Sequence, residues 1–278
     1  MQEYEDLQHM EIINTSSASK ITAKCYLPHH GVLRETSTTT KLRVVFNGSL
    51  NANLLTGANL LLVLADVLLR WRWHRYVFVT DIEKIYRQIL IHLADCDHQR
   101  ILWRHHATSD VRLRTVTYGL ACAPFLAIRT LHQLANDERH QHPRGAVALR
   151  RDTYVDDIVT RASTISKTVT LQQELRRFCT AGGFPLRKWA TNNLGVLVGI
   201  PHEHRFSSSP HCWSHENHAT LGLHWYSASD HFTFSIQERH ITELIKRRVL
   251  SETARFFDPL GWLTPVTMRA KILIQSVG

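Results

Sequence analysis

The run Tyr76-Val77-Phe78-Val79-Thr80-Asp81 leaves this chain few architectures. Its first four residues are aromatic or β-branched with no polar alternation, so the run predicts a central strand covered on both faces. The carboxylate of Asp81 then falls at the strand's C-terminal edge. A second stretch tightens the constraint. Asp152-Thr153-Tyr154-Val155-Asp156-Asp157-Ile158-Val159-Thr160 places β-formers on either side of an Asp-Asp pair. It predicts two short strands with carboxylates at the turn. Adjacent carboxylates repel and raise each other's pKa unless a cation sits between them. Two readings stand side by side: a solvated Asp-Asp turn, or ligands for a hard divalent cation such as Mg²⁺ or Mn²⁺.

With 278 residues, 44% of them hydrophobic, the chain can bury a core in one large domain or two small ones, and it is not a disordered sequence. Lys and Arg outnumber Asp and Glu by 33 to 24, a formal charge of +9 that favours a polyanionic partner, usually nucleic acid. Cysteines number five, without a C-x-x-C, which argues against a disulfide framework and fits a reducing compartment. The acidic start, Met1 to Asp6, does not read as a signal peptide. The most apolar stretch, Leu54 to Leu69, is interrupted by Asn59 and Asp66 and predicts no membrane span.

Taken in order, residues 1–20 read as a loose lead-in and Lys24 to Pro28 as a short strand. Thr36 to Thr40 looks like a hairpin tip. Lys41 to Phe46 is a strand with Lys41 and Arg43 on one face, either clamping a phosphate or lining a solvated edge. Asn59 to Trp73 reads as a helix. Ile82 to Arg87 is a tight turn returning Tyr86 near Asp81. The small residues from Gly119 let another body approach the backbone, a base pair or a neighbouring strand. A helix then runs to about Glu138. Ser163 to Thr180 is an amphipathic helix, and Phe184 to Trp189 a strand presenting Arg187 and Lys188. Residues 201–218 are rich in histidine, match no common zinc finger, and read as a surface insertion. A hairpin (Leu221 to Tyr226, His231 to Ile236) and helices from Thr242 to Phe257 and Pro265 to Ser276 follow.

Several segments occur in the order found in reverse transcriptases, and the chain most closely resembles those of BEL/Pao-type LTR retrotransposons. They are Tyr26 to His30, Lys41 to Phe46, Asp81 to Ile89, Tyr118-Gly119 to Pro124-Phe125, Tyr154-Val155-Asp156-Asp157, Gly183-Phe184 with Arg187-Lys188-Trp189, Leu221 to Trp225, and Phe257 to Gly261. The resemblance implies an α+β right-hand polymerase, with fingers and palm around an antiparallel sheet and a partial helical thumb. Its parts would be a lead-in (1–20), fingers (21–75), palm (76–90), fingers (91–120), palm (121–236, with the His-rich insertion at 201–218), and partial thumb or connection helices (237–278).

It implies an RNA-directed DNA polymerase adding dNTPs to a primer on an RNA or DNA template by two-metal phosphoryl transfer. Asp81, Asp156 and Asp157 would hold two Mg²⁺ or Mn²⁺ ions. Lys41, Arg43, Tyr86, Gly119 and Lys188 would bind the nucleotide, and Leu221 and Gly222 would grip the primer. The setting would be intracellular, in the cytoplasm or a virus-like particle, with no membrane. The alternative is a truncated, inactive remnant that still binds nucleic acid. Tyr118 departs from the family's usual Phe, and nothing in the chain resembles a ribonuclease H, aspartic protease or integrase.

Overall fold

The computed structural model describes residues 2–13, 24–33, 42–48, 54–104, 108–206, 211–213, 223–234, 245–254, 256 and 258–276. In chain order the elements are α1 (Gln2–Asp6), β1 (Met10–Ile12), β2 (His29–Leu33), β3 (Leu42–Phe46), α2 (Leu64–Trp71), β4 (Tyr76–Ile82), β5 (Arg100–Arg104), β6 (Thr108–Leu113), α3 (Ala123–Glu138), α4 (Pro143–Arg151), β7 (Thr153–Tyr154), β8 (Asp157–Ala162), α5 (Ile165–Ala181), β9 (Leu186–Thr191), β10 (His211–Trp213), β11 (Leu223–Tyr226), β12 (His231–Phe234), α6 (Lys246–Thr253) and α7 (Thr264–Ser276). This is an α+β protein with antiparallel sheets. The backbone divides into two compact units: Met1–Leu61, Ile82–Asp156 and Glu174–Pro185 form one, and Leu62–Asp81, Asp157–Gln173 and Leu186–Gly278 the other.

In the first unit β1, β6 and β5 form a sheet in that order, and β2 and β3 pair as a hairpin from His29↔Phe46 to Leu33↔Leu42. Its core gathers Tyr4, Met10, Leu27, Phe46, Ile101, Val111, Leu113 and Val116. Residues 2–13 are therefore no loose lead-in. Met10 pairs with Leu113, and Glu3 takes an ion pair from Arg87 at 3.1 Å and another from Lys84. The Arg87 guanidinium lies 4.3 Å from the Tyr4 ring centroid. A five-residue helix and a three-residue strand are too short to show a period. Partners some 80 or more positions away order them. The helix α4 has no counterpart in the sequence reading. Pro143 starts it and Gly145 packs it against Phe178, where an added Cβ would come within 2.7 Å of the ring.

The second unit is built on β8, β4 and β9, side by side in that order. Val77, Phe78, Val79, Ile158 and Val159 are all 0% exposed, so the apolar run is a central strand, as its composition requires. A second sheet has the order β10-β11-β12. Its strand β10 comes from the His-rich segment, paired as His211↔Trp225 to Trp213↔Leu223.

The β11–β12 hairpin is tied down by Asp230, which has a left-handed φ of 52°. Asp230 accepts hydrogen bonds from Arg72 (2.5 and 3.0 Å), the indole N–H of Trp225 (3.0 Å) and the Asn192 amide (3.0 Å). Burial works against the charged carboxylate, yet the hydrogen bonds from Arg72, Trp225 and Asn192 together hold its pKa below the ordinary aspartate value. Beside it, Trp71 and Trp225 meet edge to face at 4.6 Å between centroids.

Candidate active site

Asp81 faces Asp157 directly across the β4–β8 ladder, the last pair of a register that begins at Tyr76↔Ala162. Directly opposed residues of an antiparallel pair share a face, with Cβ atoms about 4.5–5.5 Å apart, and like charges so placed are destabilising. The position calls for a cation, and one is there. Lys188 Nζ lies 2.9 Å from Asp81 Oδ2. The Asp81 side chain is 14% exposed and that of Lys188 59%, so the ion pair is open to water on the lysine side.

Two features of β9 deliver this lysine. Thr80 Oγ1 donates to the Arg187 carbonyl at 2.9 Å, which fixes the backbone beside β4. Lys188 itself adopts a left-handed φ of 53° inside a strand, a conformation that L-residues seldom take.

Asp156 belongs to the first unit, where the Ile82 N–H donates to its carbonyl at 2.7 Å. Val155, just before it, has φ 57°. A β-branched residue there is an outlier, and such outliers gather at functional turns. Tyr86, on the short 3-10 turn Ile85–Gln88, is half-buried against the core. Burial raises its phenol pKa, and the charge of Asp156 pushes it further the same way.

Gly119 has φ 92°, and a Cβ there would lie 2.2 Å from the Phe46 carbonyl oxygen. The body that approaches its backbone is the end of β3. The Gly48 N–H donates to the Gly119 carbonyl at 3.2 Å, and the Tyr118 hydroxyl donates to the Val44 carbonyl. Arg43 is on β3, opposite Val32; Lys41, Leu221 and Gly222 lie outside the described residues.

Among the described residues no three His, Cys, Asp or Glu side chains group closely enough to hold a metal on their own. Mg²⁺ seldom needs such a cage. One or two carboxylates normally hold it, with water and substrate phosphates completing an octahedron. Two hard-oxygen ligands facing each other, already drawing an ammonium, fit that demand. The resemblance implies a nucleotide-facing role for Lys188; its contact with Asp81 has no signal in the sequence. A left-handed residue in a strand gives no sequence signal, because the alternation rule assumes regular pleating.

Residues 245–278 match the family described as Pao retrotransposon-like RNaseH-like domain. The described residues of that segment form α6 and α7 and no strand. The sequence reading expects thumb or connection helices over this segment and no ribonuclease H likeness; the family match there is to an RNaseH-like domain. No curated protein sequence matches the chain.

The fold is similar to that of foamy-virus structures. A foamy viral protease-reverse transcriptase in complex with double-stranded DNA superposes over 99% of this chain and 42% of its own, with TM-score 0.63 and 12% identity. The prototype foamy virus protease-reverse transcriptase, a CSH mutant, covers 66% of this chain and 22% of its own, with TM-score 0.50 and 14% identity. This chain thus spans less than half the length of either solved chain. The sequence likeness covers residues 245–278 alone, and the structural likeness is one of fold. No helix among the described residues is long and apolar enough to cross a membrane.

Proposed function

We propose that this chain is the polymerase segment of a retroelement polyprotein, an RNA-directed DNA polymerase working on a primed RNA or DNA template with dNTPs. Asp81, Asp156 and Asp157 would hold two Mg²⁺ or Mn²⁺ ions. The register pair Asp81↔Asp157, with its attendant ammonium, carries the reading. The bound metal would supply charge stabilisation for in-line transfer at phosphorus and a lowered pKa for the primer hydroxyl.

The chain's own residues do the rest. The ladder holds two carboxylates at one rim, Tyr86 offers a half-buried ring near Asp156, and the net charge of +9 draws a polyanion. Arg43, with Lys41, would meet the triphosphate. Gly119 would line the nucleotide pocket, and Leu221 and Gly222 would grip the primer. A fold neighbour solved on double-stranded DNA supports a nucleic-acid partner.

Primer extension on poly-rA with Mg²⁺ tests this. Wild type should incorporate dTMP, and Asp156→Asn should lose about 10²-fold or more, the scale of removing one electrostatic stabiliser. Equal incorporation by both, or none by either with duplex still bound, would defeat the polymerase reading. Neither likeness favours the inactive remnant. The match at 245–278 favours a second reading for that segment alone, as a part of the ribonuclease-H-like region, and cleavage of an RNA–DNA hybrid by the full chain tests it.

A further inference from the structure

Lys188 sits where a metal would. Its ammonium takes Oδ2 of Asp81 at 2.9 Å, and Asp81 is opposed to Asp157 across the ladder. A hard dication at about 2.0–2.1 Å from the same oxygen would meet that ammonium at close range, and two cations so near repel. One must leave. The lysine side chain, 59% exposed, can swing into water more readily than the carboxylate, which is 14% exposed. The contact is also a built one. Lys188 is held at a left-handed φ of 53° in mid-strand, beside a residue whose carbonyl is pinned by Thr80. A pairing formed by a random surface lysine would not require that backbone.

We infer that Lys188 is a resident counter-cation, which occupies Asp81 until a divalent metal displaces it, so that metal binding and release of the ammonium are one exchange. This rests on the reading of Asp81 and Asp157 as metal ligands. Without a metal, the exchange keeps two facing carboxylates from repelling each other apart. With a metal, it sets the affinity below what the acids alone would give. It makes Lys188 a positioning residue for the ligand Asp81.

The test is Mn²⁺ binding to the full chain, read as loss of the free-Mn²⁺ EPR signal, for wild type, Lys188→Met and Lys188→Arg. Displacement predicts about two- to fivefold tighter binding by Lys188→Met, the worth of a partly exposed pair. It also predicts weaker binding by Lys188→Arg than by wild type, because a guanidinium grips a carboxylate through two hydrogen bonds. Lys188→Asn, which tolerates the left-handed backbone, should tighten binding as Lys188→Met does and guards against misfolding. Unchanged affinity in Lys188→Met and Lys188→Asn overturns the exchange. Equal affinities of wild type and Lys188→Arg reduce it to repulsion at a distance and overturn it too. Failure of wild type itself to bind Mn²⁺ is a different result, which removes the metal reading beneath it.

Discussion

Replacing Asp230 by alanine should cost the second unit about 2–5 kcal/mol, and the sum can be worked from its partners. Trp225 is 0% exposed, and its indole N–H loses its acceptor, a loss of about 1–3 kcal/mol for a buried donor. The Arg72 pair has side chains 32% and 31% exposed, so solvent screening limits it to about 0.2–1 kcal/mol. Alanine at φ 52° adds about 1 kcal/mol of left-handed strain, which aspartate and asparagine bear more easily.

Asp230→Asn separates these terms. It keeps an oxygen for the indole and tolerates the backbone, so its cost should be about 1 kcal/mol, the charge contribution alone. The assay is urea unfolding of the full chain followed by tryptophan fluorescence, since Trp71 and Trp225 pack together. The pH dependence has a defined sign. The folded pKa lies below the ordinary aspartate value, so the stabilisation is full above that ordinary value and is lost as pH falls through the lowered folded pKa. Asp230→Asn should lack this acid-side loss. A cost below about 0.5 kcal/mol for Asp230→Ala, typical of an ordinary surface substitution, would refute the reasoning, as would an Asp230→Asn penalty equal to that of alanine.

Other outcomes follow from single positions. Gly119→Ala forces a Cβ to 2.2 Å from a backbone oxygen at φ 92°, and should cost more than about 3 kcal/mol or abolish folding, seen as lost soluble yield and a lowered Tm. Val155→Gly removes about 1–2 kcal/mol of strain but adds about 0.5–1 kcal/mol of chain entropy, so stability should stay within about 1 kcal/mol in chemical denaturation. Val155→Pro, which cannot adopt φ 57°, should be far more damaging in the same assay. Arg87→Met removes the pairing with Glu3 and the stacking on Tyr4, and should speed amide hydrogen exchange across residues 2–12.

Local patterning carried much of the architecture. Uninterrupted β-branched and aromatic residues cannot be half-solvated, so 76–81 had to be a central strand, and it is β4. Turn chemistry around Asp156-Asp157 predicted the β7–β8 turn for the same kind of reason, and helix α5 followed its apolar period. What stayed hidden depends on partners distant in sequence or on backbone angles that no period encodes. Residues 2–13 are ordered by Lys84, Arg87 and Leu113, which their own composition cannot announce. Within the His-rich segment, His211 to Trp213 form a strand because β11 offers an edge to them. Gly119 signalled a close approach, but only the folded chain decided that Phe46 makes it. The sequence alone supplied the acids and their order along the chain. The tertiary structure chose which acid faces which, and set a lysine against Asp81 through a left-handed kink, because register and φ are settled by packing across the whole sheet and not by neighbours in the chain.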